Sequence, residues 1–400
     1  MKSNYRKIGD FIQLVDERNT DLNINLLLGL SINKVFIPSV ANIVGTNMAN
    51  YKIIRKNQFS CSLMQVRRDK KIPVALLKDY DEAIISQAYP VFKISDTEEL
   101  LPDYLMMWMS RSEFDREACF NAVGGVRGSL EWEDFCNMEL PVPSPEKQQE
   151  IVDEYNTVVN RIKLNEDLNR KLEETAQTLY RHWFVDFEFP ISKEYAETMG
   201  KPELEGKPYK SSGGEMVYSE QVKRDLPSKW ASPKIESIIR LNYGKSLPSN
   251  KRIPGPFKVY SSSGISGWHN EPLIQEDCII VGRKGSIGTL YMERDPCYCI
   301  DTAYYILDSE INVPLHFAYW LLRQLNLPSM NEDSAVPGLS RKTVYDKNVI
   351  VPNEMILWNF EKIVKVIDDN IVLNNSEIQK LNKIQYIILA KMTVPSKILV

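Results

Sequence analysis

EKQQEIVDEYNTVVNRIKLNEDLNRKLEETAQTLYRHW, residues 146–183, runs for 38 positions without a glycine or a proline. Pro143-Ser-Pro145 stands just before it, where proline is tolerated because the first helical turn makes no intrahelical use of its missing N–H. A continuous helix of this length would extend about 57 Å at ~1.5 Å per residue. Side chains step along it in alternating fours and threes: Ile151, Tyr155, Val158, Ile162, Asn165, Asn169, Leu172, Ala176, Leu179 and Trp183. The same steps recur 209 residues later as Phe360, Val364, Ile367, Ile371, Asn374, Ile378, Leu381, Gln385, Ile388 and Met392. A heptad spacing kept over that distance predicts a face that seeks another helix. The alternative is two amphipathic helices, each packed on its own domain. A length far beyond the ordinary ~11–12 residues favours the paired reading.

The repeat extends beyond the helices. Ile8-Gly-Asp-Phe-Ile12 resembles Ile235-Glu-Ser-Ile-Ile239 at an offset of 227. Arg68 matches Arg283, and Ala88-Tyr89 matches Ala303-Tyr304, both at 215. Pro102 and Trp108 match Pro314 and Trp320 at 212, Val126-x-Gly128 matches Val336-x-Gly338 at 210, and Ile162-x-Leu164-Asn165 matches Ile371-x-Leu373-Asn374 at 209. An offset that drifts in one direction, with all matches in order, marks a long duplication whose first copy is slightly longer. Each copy joins a globular domain to a helix. The boundaries are 1–143 for the first domain, 144–190 for the first long helix and an aromatic junction, 191–227 for a linker, 228–352 for the second domain, and 353–400 for the second long helix and a tail. The domains, rich in β-branched and aromatic runs broken by Gly, Pro, Asn and Ser, read as mixed α/β, of the α+β kind.

Asn165 lies near the middle of the first seam, and Asn374 holds the equivalent place in the second. In an antiparallel pair with pseudo-two-fold symmetry, only central positions approach their own equivalents, so Asn374 would meet Asn165 or Asn169. A buried amide left alone is costly, and a matched pair therefore selects one register and orientation. The alternative is that these amides are exposed and select nothing.

Composition narrows the class. The 43% hydrophobic and 26% charged content of 400 residues excludes global disorder and leaves room for several apolar cores. Lys plus Arg total 49 against 53 Asp plus Glu, a net charge of −4, which excludes a chain basic throughout but not local basic surfaces. MKSNYRKIGDFIQ lacks a signal-peptide core, and the apolar stretch at 26–30 falls far short of the ~20 residues that span a bilayer. An untargeted, cytoplasmic chain with no membrane contact is expected. The six cysteines show no C-x-x-C spacing, and His182, His269 and His316 are the three histidines, so reduced buried thiols and no metal site are expected.

Two dissimilar domains, each followed by a long helix, resemble the specificity subunit of type I restriction–modification systems. The resemblance covers almost the whole chain. It is carried by Leu140-Pro-Val-Pro143 leading into Glu146-Lys-Gln-Gln149 and Ile151, and by Arg181-His-Trp-Phe-Val-Asp-Phe-Glu-Phe-Pro190. In the second domain it is carried by Val259-Tyr-Ser-Ser-Ser-Gly-Ile-Ser-Gly267 and Gly282-Arg-Lys-Gly-Ser-Ile-Gly288. The second helix departs from the pattern, starting from Val351-Pro-Asn-Glu-Met without the double proline or the Glu-Gln pair. The resemblance implies two target recognition domains in a pseudo-two-fold tandem repeat, separated by a long antiparallel two-helix coiled coil, each domain reading one half of a split DNA site. Two modules reading one face of DNA sit near one helical turn apart, ~34–36 Å, or a multiple of it. It further implies double-stranded DNA, two methyltransferase subunits and restriction subunits as partners. The methyltransferase would use S-adenosylmethionine and the restriction subunit ATP and magnesium, with no cofactor in this chain.

Arginine reads guanine with a two-pronged contact, whereas lysine more often neutralises phosphate. The candidate DNA contacts of the first domain are Arg67, Arg68, Lys70 and Lys71, after a strand-like run, and Arg127 in a glycine-rich turn. The second domain offers Lys251, Arg252, Tyr260, Trp268, His269, Arg283, Lys284, Arg341 and Lys342. Arg68 and Arg283 coincide in the repeat and form the leading pair. Any of these could instead be a solvated charge, and Trp268 and His269 ordinary packing residues. Trp183, Phe184, Phe187 and Phe189 either pack the domain junction or help bind a methyltransferase. Gly282-x-x-Gly285-x-x-Gly288 lacks the G-x-x-x-x-G-K-[ST] pattern and a following helix. The adjacent carboxylates Asp153-Glu154 and Glu173-Glu174 do not face each other on a helix. No methyltransferase or nuclease motif is present, so no catalytic site is expected. Two other readings are a coiled-coil adaptor that does not bind DNA and a DNA-modifying enzyme with an unfamiliar active site.

Overall fold

The computed structural model describes residues 5–39, 46–123, 128–330 and 338–393, and the chain divides into two compact units. One is Met1–Asn165 with Ser376–Val400, the other Glu166–Asn375. The first unit is thus completed by a segment from the far end of the chain.

In the first unit, β-branched and aromatic runs form a four-stranded antiparallel sheet in the order Ile12–Val15, Val91–Ile94, Phe59–Cys61, Val74–Leu76. Phe59 stacks on Phe92 at 5.1 Å, and Phe135 meets Phe92 edge-on at 5.7 Å. The helices Pro102–Met109 and Trp132–Asn137 add Tyr104, Leu105 and Phe135 to this core. Strand Tyr5–Lys7 pairs with Glu139–Pro141 and brings the chain to the first long helix, Pro145–Tyr180. Gln148 in its first turn is buried and fully used. Its Nε2 donates to the carbonyls of Glu99 and Pro143 and its Oε1 accepts from the N–H of Leu101, each at 2.9 Å. Such a clamp gives the Glu-Lys-Gln-Gln run a structural reason. Leu357 holds the matching place in the second copy and is buried as hydrocarbon.

The second unit repeats the sheet as Asn242–Tyr243, Ala303–Leu307, Cys278–Gly282, Leu290–Glu293, again antiparallel. In both sheets the order by chain position is first, fourth, second, third, so the duplication is one of topology. What differs is inserted. The first domain adds the hairpin Leu28–Leu30 with Phe36–Pro38 and the pair Lys52–Arg55 with Glu82–Ile85. The second adds a three-stranded sheet of Gly264–His269, Phe257–Ser261 and Cys297–Cys299.

The long helices pair inside each unit. In the first, Val152 and Val158 share a core with Ile388 of the second long helix, Glu354–Lys391, and with Met392 just beyond it. Gln385 Nε2 donates to the Tyr155 hydroxyl at 2.9 Å, and Arg161 grips Glu377 with two contacts of 2.9 and 3.1 Å. In the second, Ala176 and Tyr180 pack with Phe360 and Val364. Rising numbers on one helix meet falling numbers on the other in both units, so the pairing is antiparallel. The observed fold is the expected one: two mixed α+β domains in tandem with an antiparallel helix pair.

Residues 191–227 depart from their reading as a linker. Helix Lys193–Thr198 and the hairpin Met216–Ser219 with Arg224–Pro227 are folded here, and Ile191, Ala196 and Tyr209 belong to the core of the second unit. The cause is aromatic: Phe189 stacks on Tyr209 at 4.5 Å and on Trp230 at 5.0 Å, a surface too apolar to leave in water. The first long helix ends in a π-turn, Arg181–Val185, which turns Trp183 and Phe184 inward. Phe184 lies 4.8 Å from Phe360 and 5.1 Å from Phe317. Trp183, Phe184, Phe187 and Phe189 are all buried, so of their two readings they serve packing.

At one place charge ties the second long helix to its domain. His316 Nδ1 bonds Glu361 Oε1 at 2.6 Å, its Nε2 lies 3.4 Å from Asp368 Oδ2, and Arg294 pairs with Asp368 and Asp369. Burial opposes a charge on the imidazole, but the hydrogen bonds to Asp368 and Glu361 outweigh it and raise the pKa to about 9. The position matching Glu361 on the first long helix is Val152, buried among apolar neighbours.

Two outcomes follow from this packing. Phe184→Ala should cost the second unit about 3–5 kcal/mol of unfolding free energy, measured by denaturant titration with hydrogen exchange assigning the loss to that unit. The His316 contribution is fully present below the unfolded pKa of 6.5 and is lost as pH rises through about 9. Protection of the Glu354–Lys391 helix should therefore weaken across that window in the wild type and not in His316→Gln; a flat wild-type profile would contradict it.

Candidate nucleic-acid interface

Arg67, Arg68, Lys70 and Lys71 fall in the connection between strands Phe59–Cys61 and Val74–Leu76. Arg283 and Lys284 fall in the connection between Cys278–Gly282 and Leu290–Glu293, the same place in the second sheet. In the first domain this connection is one turn of helix, Val66–Asp69, between two non-glycine residues in the left-handed region, Gln65 (φ 65°) and Lys70 (φ 51°). Backbone of that kind costs on the order of 1–3 kcal/mol per residue and needs support. Val66 supplies it by burial, and Asp115 Oδ1 takes the N–H of Ile72 at 3.1 Å while pairing with buried Lys34 at 2.7 Å. Arg67 lies across Gly128, where a Cβ would come within 2.6 Å of its Cδ. Arg68 is 53% exposed and makes a two-pronged contact with its neighbour Asp69 at 2.7 and 3.1 Å. Lys70 and Lys71 are exposed, and Arg127 lies outside the described residues.

Three candidates of the second domain turn inward. Tyr260 is buried and its hydroxyl donates to Glu293 Oε2 at 2.6 Å; burial first, and that bond second, push its pKa well above the usual phenol range. His269 is buried, its Nδ1 accepting the N–H of Ile253 at 3.1 Å. Arg252 is spent on backbone, with Nη1 on the Ser266 carbonyl at 2.6 Å and Nε on that of Leu247 at 3.2 Å. These groups hold the inserted sheet together and are not offered to a base. Their polarity was visible in the sequence; the contacts that engage them were not. Lys251 and Trp268 remain exposed on the same segment.

Arg283 and Arg341 come together on one ring. Their guanidinium carbons lie 5.0 and 5.1 Å from the centroid of Tyr243. Arg283 Nη1 donates to the Asp301 carbonyl at 2.8 Å, and Lys284 bridges to Gly338. Arg341 and the exposed Lys342 open the helix Arg341–Tyr345. Among the described residues neither guanidinium is ion-paired with a carboxylate, unlike Arg161, Arg294 and Arg323. Two cations on one half-exposed ring repel, and an anionic partner relieves them. Tyr243 was missed by sequence reasoning, since nothing near it in the chain announces two arginines that arrive from 40 and 98 residues away.

The seam amides meet as well. Asn374 Nδ2 donates to Asn169 Oδ1 at 2.8 Å, and Asn169 Nδ2 to Asn375 Oδ1 at 3.0 Å. Asn165 is 2% exposed, and Arg161 holds the Glu377 carboxyl below its ordinary range.

In sequence and in fold the chain is similar to known proteins. The family described as "Type I restriction modification DNA specificity domain" matches residues 3–174. The type I restriction enzyme MjaIX specificity subunit of Methanocaldococcus jannaschii is 24% identical over 312 residues, covering 72% of this chain and 67% of the relative. The type I restriction enzyme HindI specificity subunit of Haemophilus influenzae is 22% identical over 375 residues, covering 78% and 81%. The crystal structure of a type I restriction–modification S subunit from M. genitalium shares the fold, with a TM-score of 0.61, 17% identity and coverage of 98% of this chain and 96% of that one. With its duplicated domain-plus-helix architecture and a first copy that matches the specificity domain, the chain is similar to the type I restriction–modification specificity subunits.

Proposed function

We propose that this chain is the non-catalytic, DNA-addressing subunit of a type I restriction–modification complex, reading a bipartite site with 1–143 on one half and 228–352 on the other. The observation that carries this reading is one strand order presented twice under different inserts and different basic turns: a constant scaffold with two unlike readers. The subunit assembles with methyltransferase and restriction subunits. Two methyltransferase subunits would dock about the helix pair, bringing S-adenosylmethionine, while the restriction subunits bring ATP and magnesium. Among the described residues no group of three or more His, Cys, Asp or Glu side chains could hold a metal ion, and no helix is long and apolar enough to cross a membrane. All six cysteines are free thiols, which suits the cytoplasm.

The purified chain alone should neither methylate nor cut duplex DNA; methyl transfer by a preparation free of partner subunits would overturn the reading. In the methyltransferase-bound complex, Arg68→Ala should alter binding to one half-site and Arg283→Ala to the other. A lost base contact costs about 1–3 kcal/mol and depends on sequence, whereas a lost phosphate contact weakens all sequences and lowers the salt slope by about one. Binding to duplexes with single-base changes at several salt concentrations distinguishes these, and altered preference at the same bases in both variants would contradict one domain per half-site. Asn169→Leu with Asn374→Leu should keep or raise thermal stability while admitting other registers or oligomers. A single species with lower stability would show that the amides serve stability rather than register.

A further inference from the structure

We propose that Tyr243 positions Arg283 and Arg341 as one two-arginine fork that reads guanine in the half-site of the second domain. The proposal rests on the DNA-reading function above and adds the base class and the residue that sets its readers.

The ring is held firmly at its base. Tyr243 sits on the edge strand Asn242–Tyr243, opposite Tyr304 of Ala303–Leu307. The next two N–H groups are taken by carbonyls at the facing ends of two neighbouring strands, Gly244 by Ala303 at 3.2 Å and Lys245 by Cys299 at 3.0 Å. A Cβ at Gly244 would lie 2.1 Å from the Ile300 carbonyl oxygen, so no other residue lets the strand run this close. On the other side, the N–H of Leu241 is taken at 2.8 Å by the hydroxyl of Tyr345, which closes the helix that Arg341 opens. Tyr304 packs edge-on to Tyr243 at 5.0 Å, and its own hydroxyl donates to the Leu339 carbonyl at 3.0 Å. Despite this, Tyr243 is 48% exposed.

Onto that ring come two guanidiniums from separate elements, the hairpin connection and the short helix. Arginine side chains lose rotamer freedom when they bind, and a ring that already holds them reduces the loss. Two like charges held on one half-exposed ring favour an incoming anion. A phosphate would satisfy charge alone. The planar donor fork also matches the O6 and N7 acceptors of guanine in the major groove. Lys245, Lys284 and Lys342 are exposed on the same elements and suit the flanking phosphates. Arg68 of the first domain differs: it is engaged by Asp69 and would have to exchange partners before reading anything.

The test uses the full-length chain in its methyltransferase complex, on duplexes carrying the motif that the complex methylates. Each guanine is replaced in turn by 7-deazaguanine, which lacks the N7 acceptor. One or two replacements in a single half should weaken wild-type binding about fivefold or more. They should have little effect on Arg283→Ala or Arg341→Ala. Tyr243→Ala keeps both charges, so its salt slope should be unchanged while its penalty at those guanines shrinks; Tyr243→Phe should behave as wild type. Unchanged preference at the other half-site confirms an intact complex, and Tyr243→Leu replaces the alanine variant if assembly fails. If the arginine variants weaken all sequences alike and each lowers the salt slope by about one, the fork holds phosphate and the guanine reading falls. If they relax guanine preference but Tyr243→Ala does not, the positioning role falls. If none of the variants alters either half-site, the whole proposal falls, while the one-domain, one-half-site function is judged separately by its own base-change profile.

Discussion

Antiparallel pairing of two helix segments, one from each long helix and far apart in the sequence, completes each domain. The first core cannot close until Ile388 and Met392 reach Val152 and Val158. The second is built around Tyr180 and Phe360 in the same way. Burying each such side chain contributes about 1.5–3 kcal/mol, so a slipped helix register would expose several of them at once. The Asn169–Asn374 amide pair is half-buried, and slippage would break its hydrogen bond. Leucines there would pack more tightly and specify less.

On this scaffold arginine does two kinds of work, distinguishable by partner. Arg161, Arg294 and Arg323 close onto carboxylates of the long helices and belong to the architecture. Arg323 also lies over Trp320 at 4.9 Å, and Arg111 over Trp108 at 4.2 Å, the same pair at the same repeat offset. Arg283 and Arg341 rest on an aromatic face with no carboxylate partner among the described residues, the state expected of side chains that await an anion. Arg68 stands between the two, exposed but engaged with its neighbour.

The helices, the duplication and the domain class were legible because they rest on periodicity and order, which a linear sequence displays. The offset of 215 that aligned Arg68 with Arg283 leads to equivalent hairpin connections. Residues 191–227 were misread because Lys, Glu and Gly dominate the stretch, while the stack of Phe189, Tyr209 and Trp230 that folds it joins positions far apart. Tyr260, His269 and Arg252 looked available because their polar ends are visible in a sequence, whereas the burial of the first two and the backbone partners of the third are not. Tyr243 was illegible for the opposite reason: its importance comes from neighbours assembled by strand pairing.

The central claim is that the scaffold is constant and each domain carries the reading of one half-site by itself. The most direct measurement replaces 1–143 with a second copy of 228–352, keeping both long helices, and determines the motif methylated by the assembled complex. The account predicts a site whose two halves have become the same sequence, that of the original second half. A motif in which both halves change, or in which the first half is retained without its domain, would contradict it.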